Sequence, residues 1–266
     1  MRYARSTNAG ASFGSSVRLS PLDQIAVQVD VARGPNGRVV VSWTRGVPYS
    51  EDSSVRVRVS TDGGASFGPT RVIASNGAIA GRVALGDGVI YVAYSTVNFK
   101  ARVRRSVDGG NTWNDAFKVS TARGDGPTIT ASGSTAYVGF QRCSSTTCAT
   151  SVRTTTNSGS SWSVPVNLTS STGKPAEVPE LTVSGAIVRA AYARCRTFTE
   201  CAETDVYYRE SSNGTTWTSQ EKVSTSSTDL ALPQGIAVSG RILVMYSAST
   251  FTNERQGELY VRRGTP

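Results

Sequence analysis

Three arginines follow an aromatic residue by two positions in closely similar stretches. SWTR ends at Arg45, GFQR at Arg142 and AYAR at Arg194. A guanidinium offers a planar fork of N–H donors that fits the oxygens of a carboxylate or sulfate. Three of them converging from separate segments could hold one such anion. Arg82 and Glu180 occupy matching positions early in the segments that lead into stretches of this kind, and they join the set of candidate ligand contacts. The alternative is that each arginine caps its own loop or pairs with a local acid, in a chain where 24 of 28 basic residues are arginine.

Two of these arginines are followed directly by cysteine. Cys143 has Cys148 nearby and Cys195 has Cys201 nearby. Four cysteines allow three pairings, and two tight local loops are the natural choice. Each would restrict the unfolded chain by about 2 kcal/mol on the loop-entropy view. A shared zinc site is the alternative, but the chain has no histidine and no Cys-x-x-Cys. No metal and no cofactor is therefore expected. Disulfides belong to an oxidising compartment, so the expected location is secreted or extracellular. Met1 leads straight into polar repeat sequence, and the expectation is either that a leader has been removed and a start codon added or that the domain was cut from a longer chain.

The absence of histidine excludes catalysis that relies on it. Acids remain at Glu51, Asp52, Glu177, Glu180, Glu200 and Glu254, and loop aromatics that could stack on a sugar at Tyr49, Phe99, Phe198 and Phe251. The net charge is +9, which invites an anionic partner. No dense run of basic residues is interleaved with aromatics, so nucleic acid is not expected. No apolar run approaches the length of a membrane span. The expected partners are an acidic glycan or a protein, and the expected state is a monomer.

These residues need a scaffold, and the chain repeats one. Asn8, Asp62, Asp108, Asn157 and Asn213 each head a box such as SVDGGNTW, with spacings of 54, 46, 49 and 56 residues. A period near fifty signals a repeat architecture. Between boxes the chain reads as short alternating or β-branched runs, four to a repeat, with no competing helical period. Four-stranded antiparallel meanders at this period are the blades of an all-β propeller. The chain stops after a third strand near Tyr260–Gly264, while Arg2–Phe13 supplies a third strand and box and residues 16–20 a fourth. The expectation is one domain over 1–266, with five blades and the N-terminal strands completing the C-terminal blade. Both Arg2–Ser6 and Tyr260–Gly264 resemble a third strand, and only one can fill that slot.

The box resembles the Asp-box, or bacterial neuraminidase repeat, of sialidases and related propellers. The resemblance covers the whole chain, once per blade. It implies a structural box, in which the Asp or Asn oxygen accepts backbone N–H bonds across the turn between strands three and four. Glycines such as Gly64, Gly110, Gly159 and Gly214 would adopt positive φ, and Trp113, Trp162 and Trp217, with Phe13 and Phe67, would pack on the blade. It also implies that ligands are held on the opposite face, where the two-to-three loops and blade connections lie. The aromatics Trp43, Tyr94, Phe140, Tyr192 and Tyr246 near the end of strand two are expected in the core. A second recurrence, Arg58, Arg104, Arg153, Arg209 and Arg262, is expected to tie neighbouring blades.

Sialidases carry an early Phe/Tyr-Arg-Ile-Pro motif, and this chain has no Arg-Ile-Pro. The expectation is a non-catalytic, sialidase-like propeller that binds a glycan or other anionic ligand opposite the boxes. The alternatives are a divergent or truncated sialidase-like glycoside hydrolase and a structural or protein-interaction module.

Overall fold

The computed structural model describes residues 1–170, 172–197, 201–225, 230–239, 241–249 and 257–264. Phe198, Glu200, Phe251 and Glu254 lie outside the described residues, as does the side chain of Arg262. The described chain is almost wholly strand and turn, with one short 3₁₀ turn at Pro35–Gly37. It divides into two compact units. The first is Met1–Asn98 with Arg102–Phe117, and the second is Phe99–Ala101 with Lys118–Pro266.

In the first unit, β1 (Arg2–Tyr3) and β2 (Val17–Arg18) form a two-stranded sheet. A four-stranded meander follows: β3 (Ala26–Arg33), β4 (Val39–Arg45), β5 (Ser54–Ser60) and β6 (Arg71–Ala74). The next runs β7 (Ile79–Leu85), β8 (Ile90–Ser95), β9 (Ala101–Ser106) and β10 (Phe117–Lys118), and the boundary between the units passes through its last two strands.

The second unit holds β11 (Thr128–Ser132), β12 (Thr135–Cys143), β13 (Cys148–Thr155) and β14 (Val166–Asn167) as another such sheet. Then come β15 (Glu180–Ser184), β16 (Ile187–Cys195), β17 (Thr204–Ser211) and β18 (Glu221–Lys222). One parallel pair, Thr204 with Leu230, joins this meander to β19 (Leu230–Val238), β20 (Ile242–Ser249) and β21 (Gly257–Gly264). The contested third-strand position goes to β21, which runs antiparallel to β20 from Ile242–Gly264 to Ser249–Gly257. β1 pairs instead with β2. The overlap at the third-strand position is thereby resolved in favour of β21. A ladder along the whole of β21 outcompetes one along a two-residue β1, because each added pair brings backbone hydrogen bonds and side-chain contacts.

The second strand of each meander is apolar nearly throughout, because other strands cover both of its faces. Residues 39–44 of β4 are all buried, as is all of β8. Val40, Val55, Ile73, Val83, Ile90 and Tyr94 form one core of the first unit. Tyr137, Val152, Leu168, Val188 and Tyr192 form one core of the second. Trp43, Tyr94, Phe140, Tyr192 and Tyr246 are buried as expected.

The five boxes share one hydrogen-bond network. The leading hydroxyl donates to the Asx oxygen: Ser6 to Asn8 (2.8 Å), Ser60 to Asp62 (2.7 Å), Ser106 to Asp108 (2.8 Å), Thr155 to Asn157 (2.9 Å) and Ser211 to Asn213 (3.1 Å). The same hydroxyl accepts the amide of the box glycine, as in Gly64 N to Ser60 Oγ and Gly110 N to Ser106 Oγ, both 2.8 Å. The Asx Oδ1 accepts one or two later amides, for instance those of Ala65 and Ser66 at Asp62 and that of Ser161 at Asn157.

The second Asx atom explains why Asp and Asn interchange. Asp108 Oδ2 accepts the Thr112 hydroxyl (2.5 Å), whereas Asn157 Nδ2 donates to the Ser161 hydroxyl (2.9 Å). A hydroxyl can play either part.

The box glycines meet two demands at once. Gly110 has φ +96, and a Cβ there would lie 2.8 Å from Val59 Cγ2. Gly214 has φ +72, and its Cβ would lie 2.3 Å from Thr154 Oγ1. Val59 and Thr154 belong to the preceding sheets, so the turn is pressed against its neighbour.

The box aromatics follow suit. Trp113 and Trp217 pack on the two cores, and each indole N–H donates to its own box glycine, Gly110 or Gly214, at 3.2 Å. Phe67 meets Tyr3 edge-on at 5.0 Å. Trp162 is half-buried. Phe13 departs from expectation. It is 67% exposed, because its box flanks only the two-stranded sheet, which has no buried middle strand to receive a ring.

The recurrent arginine of strand three ties each sheet to the one before. Arg104 Nη1 donates to the Ile73 carbonyl (2.8 Å), Arg153 Nε to Val119 (2.7 Å) and Arg209 Nη1 to Leu168 (2.5 Å). Those carbonyls lie in or just after the last strand of the preceding sheet. Arg58 instead bonds Thr70 Oγ1 within its own sheet (3.0 Å).

Two outcomes follow. Hydrogen bonds from Ser66 and Ser60 at Asp62, and from Thr112 and Ser106 at Asp108, hold both carboxyls well below the usual range. Their contribution is full above the unfolded carboxylate pKa of about 3.9 and declines as pH falls below it. The double variant Asp62→Asn/Asp108→Asn is expected to lower Tm at pH 7, to approach the wild type as pH falls below 4, and so to lose part of the acid-induced fall in Tm. Arg209→Ala is expected to lose about 1.5–3 kcal/mol in urea unfolding, the usual worth of hydrogen bonds to a charged group.

Candidate functional site

In an antiparallel meander the box, at the three-to-four turn, lies at one end of the strands. The two-to-three loops and the inter-sheet connections lie at the other. In the second unit that other end holds a cleft of about 410 Å³, lined by Phe99, Arg123, Asp125, Gln141, the Cys143–Cys148 loop and Pro175. The lining residues come from four separated segments, at 99, 123–125, 141–148 and 175, which backbone hydrogen bonds help lock together.

The connection 119–127 is clamped on both sides. Gly124 N donates to Phe99 O (2.8 Å), Cys143 N to Arg123 O (2.8 Å) and Gln141 N to Asp125 O (3.2 Å). The clamp is tight at Gly124, where a Cβ would stand 2.7 Å from the Gln141 carbonyl oxygen. It places the Arg123 guanidinium carbon 4.5 Å from the centre of the Phe99 ring, a cation–π contact. Phe99 itself has φ +54, an uncommon conformation for a bulky residue and one that recurs at ligand-binding loops.

The loop 144–147 is closed by the Cys143–Cys148 disulfide. Its Ser144 N donates to Thr147 O, and its Thr147 hydroxyl donates to Gly173 O (2.9 Å). A second disulfide, Cys195–Cys201, closes the next two-to-three loop. Inside that loop Arg196 pairs with Asp205 (2.8 Å) and Glu203 (3.3 Å), and Lys222 reaches Asp205 at 2.9 Å. Burial pushes the Asp205 carboxyl up, but Arg196 and Lys222 outweigh it and hold the carboxyl below its ordinary range.

Glu177 sits behind the cleft. Gln141 Nε2 donates to Glu177 Oε2 (3.2 Å) and to the Ala176 carbonyl (2.9 Å). Burial raises the Glu177 pKa above its ordinary value. Its carboxylate also lies within 4.8 Å of the Cys195 and Cys201 sulfurs. Those sulfurs are bonded to each other, so they offer no thiolate and the group is not a metal centre.

The five candidate contacts divide between the units. In the first, Arg45 donates from Nη1 to the Asp52 carbonyl of its own loop (3.3 Å), and exposed Arg82 faces Ala93 across the β7–β8 ladder. In the second, Arg142 is exposed opposite Ala149, Glu180 is half-buried opposite Ala191, and Arg194 lies opposite Asp205. Arg194 also reaches the turn at Gly173, where an added Cβ would stand 3.0 Å from its Nη2.

Strand alternation separates Arg142 from the cleft, whose wall takes Gln141 and Cys143 on either side of it. The cleft residues that sequence reasoning missed are Arg123, Asp125 and Gln141. The signal for Gln141 was present, one residue before Arg142 in GFQR, but only the pleat decides which neighbour points inward.

No protein-family model matches the chain, and no curated protein sequence matches it. Solved structures do. A Dyadobacter fermentans protein of unknown function aligns at TM-score 0.62 with 14% identity, over 90% of this chain and 79% of that one. A PL25 polysaccharide lyase described as an ulvan lyase aligns at 0.61 with 8% identity, over 90% and 64%. The intramolecular trans-sialidase of Ruminococcus gnavus aligns at 0.58 with 10% identity, over 89% and 80%. An α-L-arabinanase of Penicillium chrysogenum aligns at 0.52 with 14% identity, over 92% and 95%. The fold is a β-propeller. At these identities the likeness speaks for the propeller alone, and the repeated meanders of four antiparallel strands agree with it.

A titration test follows from Glu177. Its folded pKa is raised, so its contribution to stability is full below the ordinary carboxylate range and is lost as pH rises through the folded value. Glu177→Gln is expected to raise Tm at pH 7, to leave it unchanged near pH 3, and thus to flatten the profile between them.

Proposed function

We propose that the chain is a non-catalytic, sialidase-like propeller whose hairpin boxes are Asp-boxes and whose strand ends opposite those boxes bind a glycan or another anionic ligand. The observation that carries this is the cleft of the second unit. There a ring and a guanidinium stack at 4.5 Å beside an amide, a carboxylate and a loop rich in hydroxyls. An aromatic face with convergent hydrogen-bonding groups suits a sugar ring, and Arg123 suits an acidic substituent. The loop enters binding already ordered by its disulfide, so little entropy is lost on complex formation. Arg142 and Arg194, with Glu180, are the flanking contacts of this unit, and Arg45 and Arg82 those of the other. The similar structures of a polysaccharide lyase, an arabinanase and a trans-sialidase agree with a carbohydrate partner. Two disulfides accord with a secreted or extracellular protein.

A second reading, a divergent glycoside hydrolase, draws on Glu177, whose raised pKa suits a proton donor. Glycosidases use two carboxylates across the scissile bond, and Asp125 is the other acid at this cleft. The Arg-Ile-Pro motif of sialidases is missing, which ranks this reading below the first.

The deciding experiment is a glycan array at low and moderate salt. Binding to acidic glycans is expected, weakened by salt, lost in Arg123→Ala and reduced in Arg142→Ala/Arg194→Ala. An array blank at both salts would favour a structural or protein-interaction module. Turnover of a fluorogenic sialoside that is abolished by Glu177→Gln would favour the hydrolase.

A further inference from the structure

The first unit has its own cleft at the strand ends away from the boxes. It measures about 510 Å³ and is lined by Asp23, Gln24 and Ile25 ahead of β3 and by Arg45, Gly46, Val47, Ser50 and Asp52 after β4. That is space for a monosaccharide, since ligand sites commonly span about 300–1,000 Å³. The ladder beneath it contains an anomaly. Arg45 faces Ser54, and Trp43 faces Arg56, across β4 and β5. Arg45 and Arg56 are thus diagonal neighbours on one face of the sheet, within reach of each other for long side chains.

Like charges in that arrangement repel, and both residues are half-buried. Neither makes an ion pair among the described residues. Their hydrogen bonds go to neutral acceptors only. Arg45 Nη1 donates to the Asp52 carbonyl (3.3 Å), Arg56 Nε to Ser54 Oγ (3.3 Å) and Arg56 Nη1 to Gln24 Oε1 (3.2 Å). The carboxylates of Asp23 and Asp52 border the cleft but are exposed and leave both charges uncompensated. Burial, and after it the Arg45 charge, lowers the pKa of Arg56. At the same loop Tyr49 is 53% exposed with φ +65, a costly conformation for a tyrosine.

We propose that this cleft is an oxyanion site in which Arg45, in its wall, and Arg56, bonded to the lining residue Gln24, together grip one sulfate or carboxylate group of a saccharide-sized ligand. An oxyanion would satisfy the spare N–H donors of both guanidiniums and cancel their repulsion in one step. The site extends the ligand-binding reading to the first unit, but it stands on its own geometry. Arg56 has no counterpart among the residues of the second unit's cleft.

The test follows the arginine Nε–H resonances of the ¹⁵N-labelled full chain by NMR. The titrants are sodium sulfate against sodium chloride at equal ionic strength, then glucose 6-sulfate, glucuronate and glucose. Saturable shifts with sulfate, or with glucuronate alone if the natural group is a carboxylate, are expected. Arg45→Gln and Arg56→Gln should each weaken binding by about tenfold or more, the worth of a charge-assisted hydrogen bond. Asp23→Asn should tighten it, which tests the site without removing a guanidinium. Arg58→Gln, on the same sheet face but bonded to Thr70, should change nothing. Shifts that fail to saturate with every anion, or an affinity unaffected by Arg45→Gln, Arg56→Gln and Asp23→Asn alike, would overturn the proposal. A blank glycan array would count against the function proposed above and not against this site, because inorganic sulfate is the primary probe here.

Discussion

A single hydroxyl buried at the head of four of the five hairpins underlies the architecture. Ser60, Ser106, Thr155 and Ser211 are almost wholly inaccessible. Each donates to the Asx oxygen and accepts the box glycine's amide. The Asx oxygen in turn satisfies the amides that the turn leaves without partners. The glycine amides at Gly64, Gly110 and Gly214 are buried, and a buried backbone amide left unpaired would cost about 1–3 kcal/mol. The network lets the chain reverse direction sharply while its middle stays packed against the preceding sheet.

That packing is the second consequence. With the turn closed, the glycine backbone lies where any side chain would collide with the sheet before it, and the indole folds over its own glycine. The strand-three arginine reaches back to a carbonyl of the preceding sheet. These elements attach one sheet to the next at the box ends. At the opposite strand ends hydroxyls bond carbonyls across sheets, Thr128 to Pro179, Thr150 to Glu177 and Thr204 to Ala231, and the disulfides close the two-to-three loops of the second unit. In repeat folds each unit's obligations are met by the same positions in every copy.

Arg104, Arg153 and Arg209 are spent on backbone carbonyls, and Arg196 is spent on Glu203 and Asp205. Arg45 and Arg123 line clefts, and neither makes an ion pair among the described residues. A basic surface built from such guanidiniums gathers anions without having to break ion pairs first.

Much of this was legible in one dimension. The repeat period, the four strands per repeat, the box and its positive-φ glycines, the local cysteine pairs and the strand-three arginines are encoded by residues close in sequence. Their chemistry is local: a turn needs its glycine, a hairpin its Asx oxygen, a five-residue loop its disulfide. What the sequence left open was decided by tertiary contacts. β21 and not β1 took the third strand, because the longer ladder forms more pairs. Phe13 stayed exposed because no buried strand lay beneath it. Gln141 and not Arg142 entered the cleft wall, since a one-residue step along a pleated strand reverses the side a residue faces. Arg45 and Arg56 became neighbours only through the β4–β5 register. Side chains eleven residues apart have no reason to meet until a hairpin places them on one face.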